Sequence, residues 1–419
     1  METDPDSPLP EGLASASIPA PVVDVVVQLQ ERGHAAFLVG GCVRDLVGGR
    51  KPKDYDVATS ATPEQVQAAF KKVIPTGIQH GTVTVLSRGE HVEVTTFRTE
   101  GPYVDGRRPQ AVEFKQDIQD DLSRRDFTIN AMAYDPLRRR LVDPFGGRRD
   151  LEGRVVRAVG DPHERFSEDG LRCLRAARFA ATLGFQVEAR TLSAITPHIP
   201  VFRKVANERV REELTRLLLS DHPDTGLNIL AGTGLLQEIV PELRPEWVQP
   251  AILAVPRAPG GVDERLAAFL HPLPPEVAGE VLRRLTCPNK VIEHAVRILR
   301  HLLPREAVEW TDQAIRRWAA SLGRDLVTGA SRVSEAVWGG QAGDLHARID
   351  RVLASRPPLG ARELALNGSR IMQVLGVGPS PAVGEATRYL LDRVLENPDL
   401  NTVDGLTALL SSWKRGPGT

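Results

Sequence analysis

Cysteine is scarce in this chain of 419 residues: Cys42, Cys173 and Cys287 are odd in number and far apart. That spacing excludes a disulfide framework and gives no zinc-ligand pattern, so the three thiols are expected to be reduced. Long apolar runs are missing too; no stretch approaches the ~20 residues that a bilayer-spanning helix needs. At the start, the acidic Met1-Glu2-Thr3-Asp4-Pro5-Asp6 and the Pro/Ala/Ser-rich stretch after it carry neither a basic segment nor an apolar one behind it. The composition predicts a disordered leader over residues 1–21 of a cytoplasmic protein rather than a secretion signal. An excess of one charge is also absent, because 53 Lys and Arg stand against 54 Asp and Glu, a formal net charge of −1. Such balance argues against holding nucleic acid by bulk attraction. It leaves room for a local patch, and arginine heavily outnumbers lysine, which favours directional contacts to phosphates and bases.

The rest of the composition, 41% apolar and 26% charged, is that of an ordinary globular chain long enough for two to four domains. Strand-like segments cluster early, at residues 35–39, 54–58, 82–86, 92–97 and 111–114. Helical patterns lie around 22–31 and 63–70, the second with Thr62 as N-cap and Pro63 at its first position. From Leu151 onward the pattern turns helical and stays so, with Pro/Gly breaks of no fixed period, which excludes a solenoid. Strands first and helices after predict an α+β head, a mixed sheet with helices on a face, followed by an all-α extension.

The most informative residues are two aspartates one residue apart, Asp54 and Asp56, shortly after Gly40-Gly41-Cys42-Val43-Arg44-Asp45. In an extended strand, residues i and i+2 share a face, so both carboxylates can reach one small volume, and oxygen-rich sites of that kind suit Mg²⁺. Glu93 lies on a later strand and is either a third carboxylate or a solvated strand residue. The apolar run ending at Val39 delivers the chain to two glycines, where the backbone can approach a phosphate closely. A phosphate-holding turn beside a metal-holding strand is the skeleton of a nucleotidyl-transfer site. Two further elements follow. One is Arg124-Arg125-Asp126-Phe127-Thr128-Ile129-Asn130-Ala131-Met132-Ala133; the other runs from Glu168-Asp169-Gly170-Leu171-Arg172 to Arg175, Arg178 and Phe179.

Taken together and in this order, the four elements resemble the class II tRNA nucleotidyltransferases, the bacterial and eukaryotic CCA-adding enzymes of the polymerase-beta-like superfamily that also holds the poly(A) polymerases. The resemblance is dense from Val23 to Leu219. It returns near the end with Leu375-Gly376-Val377-Gly378-Pro379-Ser380-Pro381 and Asn401-Thr402. It implies a polymerase-beta-like nucleotidyltransferase head over residues 22–150, a helical neck over 151–219 carrying a nucleotide-recognition helix, a helical body over 220–310 and a tRNA-binding tail over 311–419. The activity implied is template-independent addition of CCA to the 3′ end of tRNA from CTP and ATP, with two Mg²⁺ ions and release of pyrophosphate. A relative that adds only CC or only A, or a poly(A) polymerase, shares the chemistry. A non-catalytic RNA-binding protein would have no need to keep Asp54 and Asp56.

Residue by residue, the resemblance gives Asp54 and Asp56 the metals and the chemistry. It gives Gly41 and Arg44 the triphosphate, and sets Arg175 and Arg178 near phosphate or ribose. Of Arg124 and Arg125, one reaches the nucleotide and the other holds Asp126; register with the family motif favours Arg125 for the nucleotide. Asp45 is expected to pair with an arginine. Asp169 and Arg172 sit three apart on one predicted helix and are therefore neighbours. Cytosine and adenine both offer an amine donor beside a ring-nitrogen acceptor, so an Asp/Arg pair admits them, whereas guanine and uracil present the reverse order. In the family this element is the amino-acid template. The loop 100–109 matches one that switches C to A addition, and Asp143-Pro144-Phe145-Gly146-Gly147 with Asp150 matches a hinge. Glu208 to Glu213 reads as structural, and the lack of a His-Asp dyad in the helical half implies that no phosphohydrolase domain is attached.

Overall fold

The structure is a computed structural model that describes residues 9–78, 81–100, 112–303, 310–339 and 345–413. The expectation for the loop 100–109 falls, beyond its first residue, outside the described residues, as does the start of the expected leader. Two compact units make up the chain, Met1–Pro241 and Glu242–Thr419.

The first unit begins with α1 (Glu11–Ala14) and α2 (Ala20–Glu31). Residues 9–21 therefore do not behave as a disordered leader. Leu13 is buried in the same core as Val22, Val25 and Leu29, and Gly12 lies so close to the Gly49 and Leu46 backbone that a Cβ would come within 2.6 Å of both. The sequence then folds as β1 (Ala36–Val39), α3 (Gly41–Val47), β2 (Asp56–Thr59), α4 (Pro63–Ala69), β3 (Val73–Gly77), β4 (Thr82–Ser87), β5 (Glu90–Thr96), β6 (Arg98–Glu100) and β7 (Val112–Phe114). After α5 (Ile118–Ser123) come a 3₁₀ turn at Thr128–Asn130, β8 (Ala133–Asp135), β9 (Arg140–Val142) and α6 (Gly147–Glu152). The main sheet is mixed, in the order β3-β4-β5-β2-β1-β8-β9, with β2 and β5 parallel and the other neighbours antiparallel.

Local chemistry explains the boundaries. Thr62 and Gln65 form a reciprocal capping box at the start of α4, each side chain bonding the other's backbone N–H, with Pro63 at the first position. Apolar residues alternate along β4, where Val83 and Val85 are buried and face α2. Their partners across the ladder are Val94 and Val92 of β5. The hinge expected at Asp143 is a hydrogen-bonded turn. Its carboxylate accepts from the Gly147 and Arg148 N–H at 2.7 and 2.9 Å, and Asp150 accepts from the Thr128 hydroxyl at 2.7 Å.

Beyond it lie β10 (Val155–Val156), α7 (Pro162–Glu168), α8 (Leu171–Leu183), β11 (Gln186–Val187), α9 (Ala189–Ser193), α10 (Ile199–Phe202), α11 (Asn207–Leu218), α12 (Pro223–Gly232) and α13 (Leu235–Ile239). β10 and β11 form a short parallel pair inside this otherwise helical stretch. Helix α8 is enclosed, with α11 and α12 packed along it, and Cys173, Leu174, Ala176, Ala177 and Ala180 are fully buried.

The second unit is helical throughout its described residues: α14 (Pro245–Ala254), α15 (Val262–Leu270), α16 (Pro275–Arg284), α17 (Asn289–Arg300), α18 (Asp312–Leu322), α19 (Val327–Trp338), α20 (Leu345–Ala354), α21 (Gly368–Leu375), α22 (Pro381–Glu396) and α23 (Val403–Ser412). Its last helices share an apolar core of Leu364, Leu366, Ile371, Ala386, Leu390, Val394, Leu406 and Leu410. Arg316 of α18 donates to the Leu395 and Glu396 carbonyls at 2.7 Å each, satisfying the end of α22. Among the described residues no helix is long and apolar enough to cross a membrane.

Candidate active site

A cleft of about 630 Å³ opens in the first unit over the ends of β1 and β2. It is lined by Gly41, Arg44, Asp54, Asp56, Arg125, Arg175 and Arg178, all expected site residues, and by Lys51, Lys53, Asn130, Phe179 and Arg216. Asp54 and Asp56 do not share one strand. Pairing with β1 and β5 begins only at Asp56, opposite Val39 and Glu93, and Asp54 lies in the bend before it. Convergence survives the shift. The Asp56 carboxyl is crowded by the surrounding protein, and this burial, with the charges of Glu93 and Asp54 against a smaller opposing effect of Arg125, pushes it up to about 6. Carboxylates that repel one another at the floor of an open cleft fit a divalent cation, which would relieve that repulsion. Among the described residues no three carboxylate, histidine or cysteine side chains are gathered closely enough to hold a metal by themselves.

Gly40 holds φ +74°, a conformation glycine takes without strain, and a Cβ there would come within 2.8 Å of Arg125 Nη1. The glycine thus turns the chain from β1 into α3 and makes room for an arginine. Arg44 donates to Asp45 through Nε at 2.9 Å and Nη2 at 2.8 Å, and to the Asn130 side chain at 2.8 Å. Arg124 and Arg125 both pair with the fully buried Asp121 of α5, at 2.6 and 3.0 Å. Arg125 Nε is buried with no hydrogen-bond partner, an unspent donor on a cleft-lining side chain. Asp126 is held by Arg175 of α8, from far along the chain, whose Nη2 and Nε lie 2.6 and 2.8 Å from the carboxylate, rather than by its sequence neighbour as expected. Burial alone would raise the Asp126 carboxyl, but the Arg175 charge and hydrogen bonds from Asn130 and Arg175, with the Arg172 charge, hold it at about 2.

Arg175 and Arg178 are tied at their other side to Glu213 of α11, at 3.0 and 2.8 Å. Burial is the largest influence on Arg178 and brings it down to about 10 despite Glu213. The Phe179 ring gathers three guanidinium groups, with the Arg178, Arg175 and Arg44 carbons at 3.5, 5.3 and 5.6 Å from its centroid. Glu213, Asp121, Asn130 and Phe179 were not among the expected site residues. Asn130 and Phe179 stood inside the motifs without an assigned role, Glu213 was part of an acidic and basic run read as structural, and Asp121 carried no signal.

A smaller cavity of about 300 Å³ adjoins the same arginines and is lined by Arg124, Arg125, Asp126, Asp169, Leu171, Arg172, Arg175 and Arg209. Asp169 and Arg172 are not on one continuous helix. Asp169 has extended backbone at the end of α7, and Gly170 begins α8 where a Cβ would meet the Phe202 backbone at 2.5 Å. Tight packing thus explains the glycine. Both side chains still line one cavity. Arg172 donates Nη1 to the Arg165 carbonyl at 2.9 Å and to Glu168, and Nη2 to the Arg124 carbonyl at 2.9 Å, which leaves Nε–H and one Nη2 hydrogen unspent. Asp169 accepts from the Leu171 N–H at 3.1 Å and from Arg209 at 3.3 and 2.7 Å.

Comparison with known proteins places the chain in a family. Residues 36–157 match the family model described as the poly A polymerase head domain, and residues 184–246 match the one described as the probable RNA and SrmB binding site of polymerase A. The CCA-adding enzyme of Geobacillus stearothermophilus is 39% identical over 395 residues, which is 93% of this chain and 96% of the relative. That of Lactiplantibacillus plantarum is 34% identical over 386 residues, 91% of this chain and 93% of the relative. The crystal structure of the Bacillus stearothermophilus CCA-adding enzyme in complex with CTP superposes with a TM-score of 0.80 at 33% identity, covering 94% of this chain and 98% of that one. Identity at this level along nearly the whole of each partner, on a sheet whose cleft gathers the expected carboxylates and arginines, means that the chain belongs to the CCA-adding enzymes, the tRNA nucleotidyltransferase family.

Proposed function

We propose that this chain adds CCA to the 3′ end of tRNA without a nucleic-acid template, using CTP and ATP and releasing pyrophosphate. The observation that carries this reading is the junction of two cavities through shared arginines: one holds Asp54 and Asp56 beside Gly41 and Arg44, the other holds Asp169 and Arg172. The family's nucleotidyl transfer calls for a divalent metal, and Asp54 and Asp56 would hold it, as Mg²⁺, with Glu93 beside Asp56 on the neighbouring strand. When bound, two such ions supply activation of the primer hydroxyl and neutralisation of the triphosphate.

The chain's own residues do the rest. The Gly40-Gly41 turn lets backbone approach the triphosphate, and Arg44 and Arg125 offer forked donors to its oxygens. Arg175 and Arg178, held by Asp126, Glu213 and Phe179, form a fixed positive wall near phosphate and ribose. Asp169 accepts from the exocyclic amine of cytosine or adenine while Arg172 donates to the ring nitrogen, so uracil and guanine meet like against like. The helical second unit contacts tRNA, and the working compartment is the cytoplasm, in keeping with three buried free cysteines.

The decisive measurement is product length on tRNAs lacking CCA, ending in C and ending in CC, with CTP and ATP supplied separately and together. Completion of all three ends to CCA, and no further, is the expected result; runs of A beyond that point would make the chain a poly(A) polymerase instead. Asp54→Ala and Asp56→Ala are each expected to abolish incorporation while the thermal unfolding midpoint changes little, since both side chains line the open cleft rather than the core. Near wild-type rates in either variant would overturn the metal assignment.

A further inference from the structure

Arg209 of α11 closes on the Asp169 carboxylate with both terminal nitrogens, at 2.7 Å to Oδ2 and 3.3 Å to Oδ1, and it lines the same cavity as Asp169 and Arg172. A carboxylate offers about four acceptor sites. The Arg209 fork takes one on each oxygen and the Leu171 N–H takes a second on Oδ1, so one acceptor site remains, on Oδ2. Arg172 is restricted in the same manner by Glu168 and two backbone carbonyls. Asp169 sits at a break between two helices, where its own backbone does not fix its side chain as a helix interior would.

We infer that Arg209 is a specificity-determining positioning residue: it holds Asp169 in one rotamer and leaves it a single acceptor site aimed at the amine of the incoming base. The inference rests on the reading of Asp169 and Arg172 as the base-selecting pair. Without the fork, the carboxylate can turn toward the neighbouring cations of the cavity, Arg172, Arg175 or Arg125, and the donor-acceptor order that rejects uracil and guanine is no longer fixed. A side chain that merely braced the fold would act otherwise, because its loss would slow all four nucleotides together and leave their ratio unchanged.

The test compares kcat/KM for CTP, ATP, UTP and GTP, each supplied alone with Mg²⁺ to a tRNA ending one or more nucleotides short of CCA, in the full-length wild type, R209Q, R209K, D169A and the D169A/R209Q double variant. R209Q is expected to lower the preference for CTP over UTP by at least about tenfold, in line with the loss of one base contact. R209K, which keeps the charge but not the fork, should fall between R209Q and wild type, and R209Q should have no further effect in the D169A background. If D169A loses the preference and R209Q keeps it, the positioning role is overturned while the base-selecting pair stands. Should D169A itself keep wild-type preference, the base-selecting reading fails and the role of Arg209 fails with it. Where thermal melting shows that R209Q does not fold, R209K decides, and wild-type preference in that variant overturns the inference.

Discussion

Asp126 shows how much a single buried carboxylate can decide. It accepts from the Phe127 N–H, the Asn130 amide and the Arg175 guanidinium, so it joins the 3₁₀ turn to α8 and sets the distance between the two cavities. Its folded value of about 2 lies below the ordinary aspartate value of about 3.9 in an unfolded chain. A depressed carboxylate contributes stability that is fully present above the unfolded value and is lost as pH falls through the folded one. The window is therefore from pH about 4 down to about 2, and the contribution is roughly 2–3 kcal/mol at most. Urea unfolding as a function of pH should show wild type losing stability across that window more steeply than Asp126→Asn, which is less stable at neutral pH because Arg175 loses one of its two charged partners. Equal slopes in the two proteins would remove Asp126 from the acid response.

At the scale of elements, the joint between α7 and α8 matters most. The Gly170 backbone has ordinary helical angles, φ −59° and ψ −22°, so alanine would cost nothing in conformation and would gain helix propensity. Contact decides otherwise, because the added methyl would lie 2.5 Å from the Phe202 nitrogen. Gly170→Ala is expected to destabilise the first unit by roughly 1–3 kcal/mol and to shift α8 against α10, lowering CTP incorporation as well. An unchanged urea midpoint would show that α10 yields freely.

The same joint marks where reading the sequence alone runs out. Spacing from Glu168 to Arg178 fits a continuous helix, and nothing local announces that Asp169 leaves helical geometry or that the Phe202 backbone, more than thirty residues on, packs against Gly170 there. The capping box at Thr62 and the alternation in β4 were legible because they depend on neighbours within a few residues. Strands β3, β8 and β9 were not, since they take their shape from pairing across the sheet. In the cleft the aspartates, glycines and arginines could be named from their motifs. Of their ion-pair partners, Asp121 lies only four residues before Arg125, yet no motif marked it, whereas Glu213, which holds Arg175 and Arg178, lies on α11 and became visible only once the chain was folded.

For the whole molecule, the split after Pro241 separates the cleft from a helical unit with its own apolar core. Ending the chain at Glu363 removes α21 to α23 together with the core they share, and takes the partner carbonyls from Arg316. The truncated protein is expected to bind tRNA at least about tenfold more weakly in a gel-shift titration, through lost phosphate contacts. It should still incorporate CTP into a tRNA end at saturating concentration. Unaltered affinity in a fragment shown to be folded by circular dichroism would place tRNA binding elsewhere.

The arginines of the cleft have a consequence for how its binding responds to salt. Arg44 is paired with Asp45, Arg175 with Asp126 and Glu213, and Arg178 with Glu213, all within the chain. Ordinarily each cation that meets a nucleic-acid phosphate releases one condensed counterion, and affinity falls with salt in proportion to the number of such contacts. Here each guanidinium already faces a fixed carboxylate, which lowers the net positive charge that a phosphate meets. Phosphates that enter the cleft share the guanidinium groups with fixed carboxylates, so the dependence of nucleotide affinity on ionic strength is shallower than a count of arginines implies, and the near-zero net charge of the chain is no obstacle to a polyanionic substrate.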